Sequence, residues 1–153
     1  MFATRTSSAV YVQTPKHLSS AYRQIGLETG VIGASPHQLI TMLFDGALEC
    51  IARAQGAIRD GQLETKLQNI GKSIDIVDQG LRSCLDLQNG GELAANLSDL
   101  YAYMSMRLLH ANLRNDVDAL DEVSKLLTSL RTAWVAITPS QSAAAPSQME
   151  LRA

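Results

Sequence analysis

The stretch SCLDLQNGGELAANLSDLYAYMSMRLLHANL, residues 83–113, closes one helical pattern, turns at Asn89-Gly90-Gly91 and opens another. In the second pattern Leu93, Leu97, Leu100, Met104, Leu108 and Ala111 follow at steps of four, three, four, four and three. Those steps track the 3.6-residue period, so the six side chains share one helix stripe. Tyr101, Tyr103, Met106 and Leu109 lie beside it and keep the helix apolar over much of its circumference. A face that wide needs cover from more than one neighbour, which points to a bundle.

Upstream, Leu63, Leu67, Ile70, Ile74, Val77, Leu81 and Cys84 or Leu85 mark a helix over about 62–87. Before it, Ser35-Pro36-His37-Gln38 reads as a start signal. The Ser35 hydroxyl can accept from the Gln38 amide, the Gln38 side chain can accept from the Ser35 amide, and Pro36 sits where no amide is needed. The helix it opens, about 35–60, shows Ile40, Leu43, Ala47, Ile51, Ala54 and Ile58 on one face, flanked by Leu39, Phe44 and Leu48, and stops at Asp60-Gly61. Downstream, Asp116 or Asp118 caps a last helix over 116–137 with Leu120, Val123, Leu127, Leu130, Trp134 and Ile137 on its stripe. With links this short the expected fold is all-α, an antiparallel up-down-up-down four-helix bundle. A short extra helix is expected at 18–27, from Leu18, Ala21, Tyr22 and Ile25. Residues 1–17, rich in Ser and Thr, read as a mobile arm, and 138–153, small and polar with two prolines, as a disordered tail.

The 153-residue length fits one domain with a real core. A net charge of -2 and the lack of any basic block argue against nucleic acid or an anionic membrane as partner. No apolar stretch is long enough to insert in a membrane, and residues 1–11 hold no secretory signal pattern, so a cytoplasmic location is expected. Cys50 and Cys84 read as small reduced core residues.

Chemistry-bearing motifs are missing from the sequence. The Glu-x-x-His pairs of a di-iron bundle, HExxH, a P-loop, GxSxG and GxGxxG do not occur, so neither cofactor nor catalytic residue is expected. His37 reads as an exposed helix-start residue. His110 invites comparison with histidine-phosphotransfer bundles, but Ala111-Asn112-Leu113-Arg114 follows it without a lysine to handle a phosphoryl group. The feature that remains is surplus apolar surface: Leu39, Met42, Leu43 and Phe44 on one helix, Tyr101, Tyr103, Met104 and Met106 on another. Grooves lined this way receive a partner helix.

Tyr22-Arg23-Gln24 followed by Ala34-Ser35-Pro36-His37-Gln38-Leu39-Ile40-Thr41-Met42-Leu43-Phe44-Asp45-Gly46 resembles the opening of the flagellin-specific export chaperones, the FliS family. Leu85-Asp86, Gly90-Gly91-Glu92, Asn96-Leu97, Leu100-Tyr101, Tyr103-Met104, Leu108, Ala111-Asn112 and Arg131-Ala133-Trp134 extend the likeness in the same order; Phe44 stands where that family usually has tyrosine. The resemblance implies a non-enzymatic chaperone that holds the disordered C-terminal segment of flagellin, prevents its premature polymerisation and presents it to the flagellar type III export apparatus. It places Tyr22 and Ile25 in a displaceable N-terminal piece. Leu39, Met42, Leu43, Asp45 and Gly46 would form one groove wall, with Tyr101, Tyr103, Met104, Leu108 and Asn112 opposite. The alternatives from the residues alone are a histidine-phosphotransfer bundle and a generic helical scaffold. Monomer and homodimer both stay open.

Overall fold

Ser35 opens the first long helix as its sequence requires. Its hydroxyl accepts from the Gln38 amide at 3.1 Å, the Gln38 Oε1 accepts from the Ser35 amide at 2.9 Å, and Pro36 occupies the first turn. A computed structural model describes Val10, Tyr11 and residues 34–137. Tyr22, Ile25, the short helix expected at 18–27 and the tail expected at 138–153 lie outside the described residues.

The described chain forms α1 (Pro36–Asp60), α2 (Leu63–Asp75, continued by a π-helical stretch Ile76–Arg82), α3 (Gly91–Arg114) and α4 (Val117–Ala136). This is the expected helical bundle. Gly61 ends α1 at φ 71°, a left-handed conformation that costs glycine nothing and lets its amide reach Ala57 O and Ile58 O. Asp116 opens α4, its carboxylate accepting from the Ala119 amide at 3.1 Å.

The π-helical stretch has a packing reason. Ile76, Gly80 and Cys84 form one buried row, and Val77, Leu81 and Leu85 a second, both at steps of four. At 3.6 residues per turn a four-residue step drifts around the helix, whereas the wider π turn drifts the other way, so mixing the two keeps both rows inward. The Ser83 amide accordingly donates five residues back, to Asp78 O. Cys50 and Cys84 are both buried; burial raises both thiols, Cys84 to about 11.

α3 buries Ala94, Tyr101, Met104, Leu108 and Ala111. Met104, Leu108 and Ala111 are the second half of the stripe read in sequence; the first half is rotated, with Leu93 exposed, Leu97 and Leu100 only partly buried, and Tyr101 at the centre. The C-terminal end of α3 is fastened by α2. The buried Lys66 ammonium donates to Asn112 O (2.9 Å) and to Asn115 Oδ1 (2.8 Å), a cation at the negative end of the helix.

Candidate functional site

The start of α1 and the end of α4 meet through two aromatic residues. His37 stacks on Trp134 with ring centroids 4.7 Å apart. Trp134 Nε1 donates to His37 O (3.1 Å), and His37 Nε2 lies 2.9 Å from Trp134 O. His37 is thus half-buried and engaged, not the exposed residue its position suggests, because the last turn of α4 lies over it.

Against this pair sits Tyr11, only 3% exposed although the sequence assigns it to an arm. Its ring meets Trp134 edge-on at 5.2 Å and its hydroxyl lies 2.5 Å from the buried Tyr101 hydroxyl. Burial, then the neighbouring Tyr101, holds the Tyr11 phenol well above its ordinary value. A cavity of about 140 Å³ adjoins it, walled by Phe44, Leu97, Leu130 and Ile137 among others. Backbone pairing seats the segment: the Asp86 amide donates to Val10 O at 2.6 Å, and Tyr11 and Leu85 form an antiparallel bridge. The Asp86 carboxylate accepts from the Asn89 and Gln88 amides and the Asn89 side chain, which shapes the turn and holds the carboxyl below its usual range.

A second apolar region lies on the C-terminal half of α3. Met106, Leu109 and Leu113, at steps of three and four, are 69%, 53% and 74% exposed. Side chains so spaced adjoin on a helix, so the three form one strip. Beside it, Ser98, Ser105 and Asn112 recur every seven residues along the seam with α2. Ser98 Oγ accepts from Arg82 Nε and Asn112 O from Lys66. Among the described residues, Ser105 Oγ and Asn112 Oδ1 are buried with no hydrogen-bond partner. Such atoms cost free energy until something pairs with them. Leu63 and Leu67 leave further apolar area exposed at the start of α2.

Of the partner-binding residues expected from sequence, Leu39, Leu43, Tyr101, Met104 and Leu108 are core, all at or below 1% exposure. Met42 and Gly46 are half-buried on α1. Asp45 is exposed and ion-paired with Arg131 of α4. Tyr103 is exposed and donates to Glu122, and Asn112 belongs to the seam just described. The expected α1 and α3 walls therefore face each other largely inside the bundle. Leu113 is not among the residues expected from sequence, and Leu63 and Leu67, placed by their spacing on the apolar stripe of α2, are exposed. The signal for Leu113 was available: it continues the spacing of Met106 and Leu109 past the buried stripe.

Several titratable groups form structural pairs. His110 meets Asp116 at 3.1 Å, and among the described residues no three His, Cys, Asp or Glu side chains gather as metal ligands. Glu122 accepts from Tyr103 and from Arg107 Nε (2.7 Å), and those bonds hold its carboxyl below the ordinary 4.5. A carboxyl depressed by folding contributes stability above its unfolded value and loses it as pH falls through the folded one. Glu122→Gln should therefore reduce thermal stability slightly at neutral pH and flatten its decline below about pH 4.5. Melting curves of both chains from neutral to acid pH check this.

Residues 18–141 match the family described as flagellar protein FliS. The chain is similar to the flagellar secretion chaperone FliS of Salmonella typhimurium, 49% identical over 122 residues, covering 80% of this chain and 90% of that protein. It is 47% identical over 117 residues to the flagellar secretion chaperone FliSB of Pseudomonas aeruginosa, covering 76% and 92%. With the flagellar secretion chaperone FliS of Bacillus subtilis it shares 35% identity over 115 residues, covering 75% and 81%. No described helix is long and apolar enough to cross a membrane.

Proposed function

The chain belongs to the FliS family of flagellar secretion chaperones, and from that premise we propose that it binds the disordered C-terminal segment of flagellin in the cytoplasm, keeps it from polymerising prematurely and presents it to the flagellar type III export apparatus. The observation that carries this reading is the exposed apolar strip Met106–Leu109–Leu113. A disordered segment that folds into a helix over the strip buries its own apolar face against Met106, Leu109 and Leu113. Apolar burial then offsets the entropy of ordering the segment. A client helix held there is unavailable for contacts between flagellin subunits.

The experiment is a titration of ¹⁵N-labelled chain with a peptide of the flagellin C-terminal segment. The expected result is a set of shifted amide signals centred on Ser105–Leu113. A spectrum unchanged in large excess of peptide would overturn the reading.

A further inference from the structure

Among the described residues sulfur occurs in Met42, Cys50, Cys84, Met104 and Met106, and the fold gives these atoms very different access to solvent. Met104 is wholly inside the core and Met42 is half-buried on α1. Both cysteines are buried, and burial raises their thiols, so little of either exists as the reactive thiolate. Met106 alone of the five lies mostly in solvent, at 69% exposure. A thioether needs no deprotonation to react, so access decides which methionine an oxidant reaches. The fold thus shields the sulfurs whose oxidation would damage the core and presents one whose oxidation leaves the core alone.

Position gives that reaction a consequence. Met106 opens the exposed strip that continues through Leu109 and Leu113, and the exposed Tyr103 adjoins it one turn earlier. The thioether is an apolar, adaptable side chain, whereas its sulfoxide is polar and carries an oxygen that accepts hydrogen bonds. In the free chain water solvates that oxygen. Beneath a helix that covers the strip it loses the water, and an apolar client face has no donor to offer in exchange.

We propose that Met106 is a modification site, reversibly oxidised by a peroxide to methionine sulfoxide, and that the sulfoxide keeps the client off the strip while the bundle stays folded. This rests on the reading of the strip as the client surface. With hydrogen peroxide, the Met106 sulfur lone pair attacks one oxygen, and an S–O bond forms as the O–O bond breaks. The departing hydroxide takes the proton from the sulfur-bound oxygen and leaves as water. Sulfur loses two electrons and the peroxide gains them. Return is the work of a methionine sulfoxide reductase, in which two thiols become a disulfide and the oxygen leaves as water.

Met104, on the same helix and fully buried, is the internal reference. The full-length chain is treated with hydrogen peroxide, the peroxide is removed with catalase, and the added oxygen is located by tandem mass spectrometry. Met106 should be oxidised severalfold faster than Met104. A labelled peptide of the flagellin C-terminal segment, itself never exposed to peroxide, then reports affinity by fluorescence anisotropy. The treated parent is expected to bind at least about tenfold more weakly than before treatment and to melt at an unchanged temperature. Methionine sulfoxide reductases acting on both epimers should restore its binding. Met106→Leu keeps every other methionine and is compared only with itself, before and after treatment, when its affinity should not change. Equal oxidation of Met104 and Met106, a treated parent that binds as tightly as before, or an equal loss in Met106→Leu would each overturn the proposal. So would a binding loss accompanied by a lower melting temperature. An untreated parent that does not bind the peptide would overturn the functional reading and this inference with it, so the untreated sample tells the two failures apart.

Discussion

Met106→Glu together with Leu109→Glu is expected to weaken binding of the flagellin C-terminal segment by at least about 100-fold while leaving the bundle's melting temperature nearly unchanged. Both side chains are more than half exposed in the free chain, so removing them takes little from the core. Substitutions at such positions usually change stability by less than about 0.5 kcal/mol, and glutamate is a good helix former. Under a docked client the same positions become buried. Each apolar side chain then contributes about 1.5–3 kcal/mol, and a carboxylate in its place is desolvated without a partner. Fluorescence anisotropy of a labelled peptide, with a thermal melt of each chain, separates the two effects. Ala95→Glu, exposed on the same helix but away from the strip, is the control and should bind as the parent does. Equal affinity in the double variant would move the client surface elsewhere on the molecule.

Phe44→Ala should destabilise the fold by about 3–5 kcal/mol, a large part of the roughly 5–15 kcal/mol that keeps a domain folded. The ring is 1% exposed and forms a wall of the cavity beside Tyr11. Truncation would enlarge a space already about 140 Å³ in volume, and the helices around it are fixed by pairs such as His37–Trp134 and Asp45–Arg131. A site that cannot collapse is where such a loss is greatest. At about 2–4 °C per kcal/mol for a chain of this size the melting temperature should fall by about 6 °C or more. Phe44→Leu, which keeps most of the volume, should cost clearly less. Calorimetry of the three chains checks the order.

Much of this architecture could be read from the residues because it rests on local rules. Ser35 and Gln38 are three apart, and their mutual capping needs nothing beyond that spacing. Asp116 caps α4 for the same reason. What was missed depends on non-local partners. The α3 stripe was drawn through Leu93, Leu97 and Leu100 as well as Leu108, yet the helix turns Ala94 and Tyr101 inward in line with Leu108. Those three recur every seven residues, and burying Tyr101 becomes favourable only because the Tyr11 hydroxyl meets it from 90 positions away. Leu130, Trp134 and Ile137 were assigned to the buried stripe of α4 and are only partly covered, since opposite them lie Val10 and Tyr11 rather than a fourth helix. As for the site, the sequence marked the helices with apolar side chains to spare. It could not separate Met104, wholly inside, from Met106, mostly outside, because both fit a helix rich in apolar residues on several faces. Only the positions of α2 and α4 around α3 decide between them.

The stacked pair at His37 and Trp134 has a bearing on the order in which the molecule assembles. Its partners are 97 residues apart, whereas α1 and α2 are joined by a turn of two residues. The entropy lost in closing a loop rises with its length, so the early hairpins form before the ends of the bundle are brought together. The first and last helices thus zip up late and part early, and amide exchange should be fastest where they meet.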